Sequence, residues 1–262
     1  MKVFSAIVLA GERGGPDDLL TAAEVDAKVM VCVHGTPMIE RVLSTLAASP
    51  AITNGCVCGP AEIVLDAHPR ISQAIADAGL HWLAPAAGPA ASAVVGMEHL
   101  DRWPILVTTA DHALLTPAIV DHFCREAIES GADMLVGLAR HAGVMAAFPD
   151  TKRTALRFAD DDYCGCNLFA FMNPAAITVA RFWQHVEAHR KRPWRLLGAL
   201  GFGSIVAYLT RRLTLEQALA RLSKRVACTV DSVILPFPEA AVDVDSAADW
   251  ELVNRLASTR LV

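Results

Sequence analysis

Residues Val3–Ala10 form an unbroken apolar and β-branched run that ends at Gly11 in a stretch rich in Gly, Pro and Asp. That is the pattern of a strand buried on both faces running into a loop. From Pro37 to Leu46 the period changes: Met38, Val42 and Leu46 recur one helical turn apart. Pro37 suits a first helical position, so a helix is expected to start after Gly35-Thr36. Short apolar runs recur at Gly55–Cys58, Leu80–Ala84, Ile105–Thr109, Asp133–Leu138 and Asn167–Phe171, with helical patterns between most of them at Ile71–Ala78, Ala91–Leu100 and Pro117–Ser130. Strands alternating with helices predict an α/β fold, a mostly parallel sheet with helices on both faces. In the second half, Ala176–His189 and Leu196–Ser223 read as helices, and Val226–Val230 and Val233–Leu235 as strands. The chain shows no internal repeat, low-complexity tract or linker, so one domain is expected over 1–262, with a helical insertion at about 176–223.

Composition narrows the class. The chain has 262 residues, 53% hydrophobic and 19% charged, with a mean hydropathy of +0.37. This is too apolar for a disordered chain and too interrupted by charge for a membrane protein. The richest apolar stretch, Leu196–Leu209, is broken by Gly198, Gly201 and Gly203 and closed by Arg211 and Arg212, well short of the roughly 20 residues of a spanning helix. Core packing is its favoured reading; Arg190, Lys191, Arg192 and Arg195 just before it also suit contact with anionic lipid. A net charge of −5 gives no basic footprint for nucleic acid. Seven cysteines, an odd number, suit reduced thiols, and no cleavage site follows the first apolar run, so a cytoplasmic protein is expected.

Ligands of open α/β sheets bind at the carboxyl ends of the strands. Three features of the sequence converge there. Leu9-Ala10-Gly11-Glu12-Arg13-Gly14-Gly15, with Lys28 downstream, is a glycine loop with basic residues, in which backbone N–H groups can approach phosphate. An ordinary turn explains the glycines equally well. Ile105–Thr109 leads to Asp111, a carboxylate placed to hold Mg²⁺ against bound phosphates and too early to cap the helix opened by Thr116-Pro117. Asp243 and Asp245 share a face if Val242–Asp245 is extended, and Ser246 is the better cap for the last helix.

Together these residues resemble the molybdenum cofactor guanylyltransferase-like nucleotidyltransferases, which share a glycosyltransferase-A-type variant of the Rossmann fold. The resemblance spans nearly the whole chain. Its opening pattern is matched by Leu9-Ala10-Gly11, Arg13, Lys28 and Gly35-Thr36-Pro37-Met38, its strand-end Asp by Asp111 with Leu115-Thr116-Pro117, and its closing acidic pattern by Asp243, Asp245 and Asp249. Gly88-Pro89, before Ser92, matches the helix start that lies near the nucleotide in relatives. Glu12 departs from the pattern by standing where a second Gly is usual; its charge either turns outward or helps hold a metal. The spacing from Arg13 to Lys28 is longer than in many relatives.

The resemblance implies that an acceptor phosphate attacks the α-phosphorus of a nucleoside triphosphate and that pyrophosphate leaves. Bringing two anions together calls for metal, cations and backbone amides. Asp111 and Asp243 would hold Mg²⁺, Arg13 and Lys28 would clamp phosphates, and Leu9, Ala10, Gly11, Gly14, Gly88, Pro89 and Ser92 would line the nucleotide. For a small phosphorylated acceptor it points to Asn167, within Tyr163–Phe169, and to Arg153 and Arg157; a solvated strand edge accounts equally for the two arginines.

Two other functions fit the same fold. A nucleotide-sugar glycosyltransferase usually carries a second Asp where this chain has Asp111-His112-Ala113, and a non-catalytic nucleotide-binding module would tolerate Glu12. Elsewhere the simplest readings are structural. Cys56/Cys58 and Cys164/Cys166 are spaced for core packing rather than for zinc. His185 and His189 lie on one solvated helical face, Asp160-Asp161-Asp162 is a solvated hairpin tip, and His112 shapes its loop.

Overall fold

The computed structural model describes residues 3–12, 18–151, 153–188 and 201–259. The first half contains β1 (Phe4–Leu9), α1 (Asp18–Ala23), β2 (Cys32–Val33), β3 (Thr36–Pro37), α2 (Met38–Ala48), β4 (Ile52–Cys58), α3 (Glu62–Ala67), α4 (Pro69–Asp77), β5 (His81–Leu83), α5 (Pro89–His99), β6 (Ile105–Thr109) and α6 (Pro117–Ser130). The second half contains β7 (Met134–Arg140), α7 (His141–Ala147), β8 (Leu156–Arg157), β9 (Asp162–Phe171), α8 (Ile177–Ala188), α9 (Phe202–Leu209), α10 (Leu215–Val226), β10 (Val230–Leu235) and α11 (Ala247–Thr259). No helix among the described residues is long and apolar enough to cross a membrane.

The main sheet has the order β10-β7-β9-β6-β1-β4-β5, with β8 beside β9. β9 is antiparallel to its neighbours β6, β7 and β8, and the other neighbouring pairs of this sheet are parallel. The expected α/β architecture with a mostly parallel sheet is therefore present. Its strands read as continuous apolar runs because both faces are covered. On β1, Phe4, Ala6 and Val8 join a core with α2, α6 and α11, through residues such as Leu43, Phe123 and Val253. Ile7 points the other way and packs with Met97 of α5 and Val179 of α8.

The sheet opens on one side of β6. That strand pairs with β1 along its whole length, to Thr109 opposite Leu9, but with β9 only from Ile105 to Val107. The cause lies in β9. Between its pairings of Phe169 with Val136 and of Gly165 with Leu138, β9 carries more residues than β7 does, and Asn167 there adopts φ +48°. A bulge of this kind re-aims side chains and ends pairing, and Asn tolerates the left-handed region better than most residues. A gap is left at the carboxyl ends of the parallel strands.

Several local expectations are corrected. Pro37 precedes α2 and lies in β3, because His34 (φ +50°) and Gly35 (φ +73°) close a two-residue hairpin between β2 and β3. Positive φ at both positions matches the twist of the strands. The helical reading of Leu196–Ser223 is interrupted: α9 ends at Leu209, and α10 begins at a capping box in which Thr214 Oγ1 accepts from Gln217 N–H while the Gln217 side chain accepts from Thr214 N–H. Val226 closes α10 rather than opening a strand, and β10 is continuous. Its C-cap, Ala227, takes φ +51° without the glycine that would have marked the stop.

Candidate functional site at the sheet edge

The loop after β1 is held against the ends of its neighbours. Ala10 N–H donates to the Cys58 carbonyl and Ala110 N–H to the Leu9 carbonyl, both at 2.9 Å. Gly59 (φ +95°) lets β4 end flush with that loop, since a Cβ there would lie 2.8 Å from the Ala10 backbone and from Gly11 N. Arg13 and Gly14 lie outside the described residues. The chain returns at Lys28, whose backbone N–H donates to Glu12 Oε1 at 2.8 Å, so Glu12 holds the start of the 3-10 turn Lys28–Met30.

Lys28 Nζ lies 2.6 Å from Asp111 Oδ2 and 2.6 Å from Asp245 Oδ1. Burial alone would lower its pKa, but the charge and hydrogen bonds of Asp111 and Asp245 raise it above the ordinary value. The Asp111 loop is pinned from both sides. Arg41 Nε donates to the Ala113 carbonyl at 3.1 Å and Thr45 Oγ1 to the Leu115 carbonyl at 3.0 Å. Val244 N–H donates to the Asp111 carbonyl at 3.2 Å, which joins the acidic 243–249 segment to the end of β6. Asp111 Oδ1, Thr108 Oγ1 and Thr109 Oγ1 are buried without hydrogen-bond partners. Burial pushes His112 down to about 4, against Asp111 and the Ala240 backbone, which raise it.

Asp243 is fixed at both oxygens. Arg153 Nη1 donates to Oδ1 at 2.6 Å and Asn167 Nδ2 to Oδ2 at 3.0 Å, so the bulge in β9 delivers its Asn to the metal-ligand candidate. Arg153 also bonds Asp249 and the Asp243 carbonyl, while its Nε donates to Thr151 Oγ1. Its side chain is 8% exposed, so the expectation of a solvated edge fails for Arg153: the guanidinium is spent on two carboxylates. Arg157 is exposed on β8, with its backbone N–H on the Tyr208 hydroxyl. Burial, followed by Asp111 and Asp245, raises the Asp243 pKa, and Arg153 opposes that rise. Ser246 Oγ accepts from Asp249 N–H and donates to Asp249 Oδ2, anchoring the start of α11.

Gly88 precedes α5, and Ser92 Oγ accepts from Ala86 N–H at 2.9 Å. The start of this helix faces Glu187 of α8: Glu187 Oε2 accepts from Ala90 N–H at 3.1 Å, and a Cβ on Gly88 would meet that carboxylate at 3.0 Å. Nothing in the sequence around Gly88 signals this partner. Asp245 was readable only as a neighbour of Asp243; its pairing with Lys28 needs the fold. Asp160 and Asp161 lie in the turn between β8 and β9 and Asp162 opens β9 opposite Arg157, but the three are not merely solvated. Asp160 accepts from Leu215 N–H and the Tyr163 hydroxyl, Asp161 pairs with Arg140, and Asp162 with Arg211. Both Cys pairs are buried free thiols. His185 is exposed, whereas residues 189–200, which include His189 and the basic run from Arg190, lie outside the described residues.

Among the described residues, no group of three or more His, Cys, Asp or Glu side chains is arranged to hold a metal ion by itself. Asp111 nevertheless fits Mg²⁺, which takes one or two carboxylates and completes its shell with phosphate oxygens and water, whereas both oxygens of Asp243 already accept from Arg153 and Asn167. The buried, unpartnered Asp111 Oδ1 is the observation that supports this fit.

Residues 6–201 match the model of the MobA-like NTP transferase domain. A solved structure described as a hypothetical transferase from Thermus thermophilus is 28% identical, covering 95% of this chain and 100% of that one with a TM-score of 0.75. A CMP:2-keto-3-deoxy-manno-octonic acid synthetase complexed with CTP is 14% identical over 99% of this chain and 100% of its own, with a TM-score of 0.57. A 4-diphosphocytidyl-2C-methyl-D-erythritol synthase from Anaerococcus prevotii is 11% identical over 98% and 96%, with a TM-score of 0.58. At these last two identities the likeness is one of fold. None of the curated proteins compared with the chain matches it significantly.

Proposed function

The chain belongs to the MobA-like NTP transferase family, and we propose that it is a Mg²⁺-dependent nucleotidyltransferase joining a nucleoside triphosphate to a small phosphorylated metabolite. The observation that carries this reading is the meeting of Lys28, Asp111, Asp243 and Asp245, from three distant parts of the chain, at the gap between β6 and β9. A phosphate oxygen of the acceptor forms a bond to the α-phosphorus, the bond from that phosphorus to the bridging oxygen breaks, and pyrophosphate leaves with the electron pair. No covalent enzyme intermediate is needed; positioning and charge stabilisation supply the rate.

In this reading the backbone of Leu9, Ala10, Gly11 and Gly14 cradles the phosphates, while Arg13 and Lys28 neutralise charge that grows on the leaving group. Gly88, Pro89 and Ser92 border the nucleoside. Asp111 holds Mg²⁺, which when bound supplies Lewis-acid stabilisation of phosphate oxygens. Asn167 and Arg157 face the acceptor, and Arg153 acts through Asp243 by fixing its carboxylate. The test is pyrophosphate release from each nucleoside triphosphate with Mg²⁺ and a panel of phosphorylated alcohols and sugars. Release that requires both acceptor and metal, and that is lost in Asp111→Asn, is the expected result. Transfer from a nucleotide-sugar with no pyrophosphate, or nucleotide binding without turnover, would replace the reading with a glycosyltransferase or a binding module.

A further inference from the structure

The geometry points to a second role for Lys28: it is a resident counter-ion that holds Asp111 and Asp245 together until nucleotide and divalent cation arrive, whereupon its ammonium passes from the carboxylates to the phosphates. This inference rests on the proposed nucleotidyltransferase reading. The nitrogen sits 2.6 Å from a carboxylate oxygen on each side, bridging the end of β6 and the segment before α11. Cation-binding carboxylates left alone would repel one another, and Asp243 already feels both Asp111 and Asp245. One ammonium placed between two of them relieves that repulsion with a single charge, where a divalent ion would bring two.

The anchoring of Lys28 suits an exchange. Its backbone is held by Glu12 Oε1, by Val31 N–H on its carbonyl and by the buried neighbours Ala27 and Val29. Only the four-carbon stem is left to swing, and Lys is the side chain built as a point charge on a flexible stem. The ammonium satisfies Asp111 at Oδ2 alone and leaves Oδ1 buried and unpartnered. Half of that carboxylate thus stays in reserve. A divalent ion must compete with Lys28 for the other half, so free cation binds poorly, whereas a triphosphate draws the ammonium away and opens the pair. Nucleotide and cation therefore bind cooperatively, and the reason is local charge exchange.

The experiment measures Mn²⁺ binding by electron paramagnetic resonance on the full chain, with and without nucleoside triphosphate. Without nucleotide, Lys28→Met should bind Mn²⁺ about tenfold or more tightly than wild type, because the competing charge is gone. The gain should vanish in Lys28→Met combined with Asp111→Asn. Lys28→Gln, polar and uncharged, serves as the second variant should the Met protein fail to fold. Equal or weaker Mn²⁺ binding in a folded Lys28 variant overturns the counter-ion role; if wild type still binds Mn²⁺ with nucleotide and releases pyrophosphate, the enzymatic reading survives. Absence of Mn²⁺ binding in every protein, even with nucleotide, removes both.

Discussion

Replacing Arg153 by Met keeps most of the stem and deletes the charge that joins the segment before β8 to the 243–249 segment and the start of α11. The guanidinium donates to Asp243 Oδ1 at 2.6 Å and to its carbonyl at 3.3 Å, bonds Asp249, and holds Thr151 through Nε. Breaking a buried pair by removing one partner costs about 3–5 kcal/mol. Here the stranded carboxylates are 27% and 15% exposed, so returning water lowers the expected loss to about 2–4 kcal/mol. For a chain of this size, at about 2 °C per kcal/mol, the melting temperature should fall by about 4–8 °C.

The loss should depend on pH with a definite sign. Burial, Asp111 and Asp245 already raise the folded pKa of Asp243, and Arg153 is what holds that rise back. Without Arg153 the folded pKa climbs further above its unfolded value. A carboxyl raised in this way takes up its proton sooner in the folded state than in the unfolded chain, so folding gains stability as pH falls through the folded pKa. The deficit of Arg153→Met relative to wild type should be greatest at pH 7–8 and shrink toward pH 5. Urea denaturation of both proteins across that range measures it, and the His112 contribution cancels in the difference. Arg153→Lys should recover no more than about half the loss, because a point ammonium cannot reproduce the fork. A deficit below about 0.5 kcal/mol at pH 7, or one independent of pH, would refute the reasoning.

Gly59→Ala should cost more than about 2 kcal/mol in denaturant unfolding, because φ +95° strains any Cβ and the Ala10 backbone lies 2.8 Å from it. Thr214→Ala removes the capping box of α10 and should cost about 1 kcal/mol, read as a fall of about 2–3 °C in melting temperature. His112, buried and pushed down to about 4, stabilises the fold fully above the unfolded value of about 6.5, and that contribution is lost as pH falls toward 4. His112→Leu should lack this window, worth about 3 kcal/mol in all, when unfolding is followed against pH. Asp111→Asn should lower Mg²⁺-dependent pyrophosphate release by orders of magnitude in a steady-state assay. Its melting temperature without ligand should stay within about 2 °C of wild type, because relief of repulsion on Asp243 offsets the lost charge on Lys28.

The strands buried on both faces were the most legible part of the chain. β6 spans Ile105–Thr109 as its apolar run predicts, since Ile105 and Val107 pack on one core and Leu106 on the other. β9 was only half legible. Asn167–Phe171 reads as apolar, whereas Asp162–Cys166 includes exposed Gly165 and pairs partly with the exposed two-residue β8. The start of α10 was readable in principle from Thr214 and Gln217; the apolar continuity from Leu196 onward concealed it. Asp111 stood out as chemistry because it follows a strand that ends at the ligand edge, and Lys28 because it is the cation downstream of the glycine loop. Their pairing did not, because the other partner of Lys28, Asp245, is 217 residues away. Arg153 shows the same limit: a cation before a strand suits a phosphate or solvent equally, and only packing against Asp243 and Asp249 decides.

The bulge in β9 ties these local facts into one arrangement. Were β9 to stay in register with β6 beyond Val107, Thr108 and Thr109 would have a strand on their second side as well as β1 on the first, and the space at the sheet edge would close. Because Asn167 turns the strand away, the gap admits the 243–249 segment, which bonds the Asp111 carbonyl through Val244. Asp111, Asp243, Asp245 and Asp249 then stand against Lys28 and Arg153, and this set carries two formal negative charges in excess. Arg153 is sequestered where exchange is costly, whereas Lys28 carries its charge on an intrinsically flexible four-carbon stem at the edge. An assembly built in this way keeps its acidic ligands folded through one fixed cation and keeps them available through one that can leave.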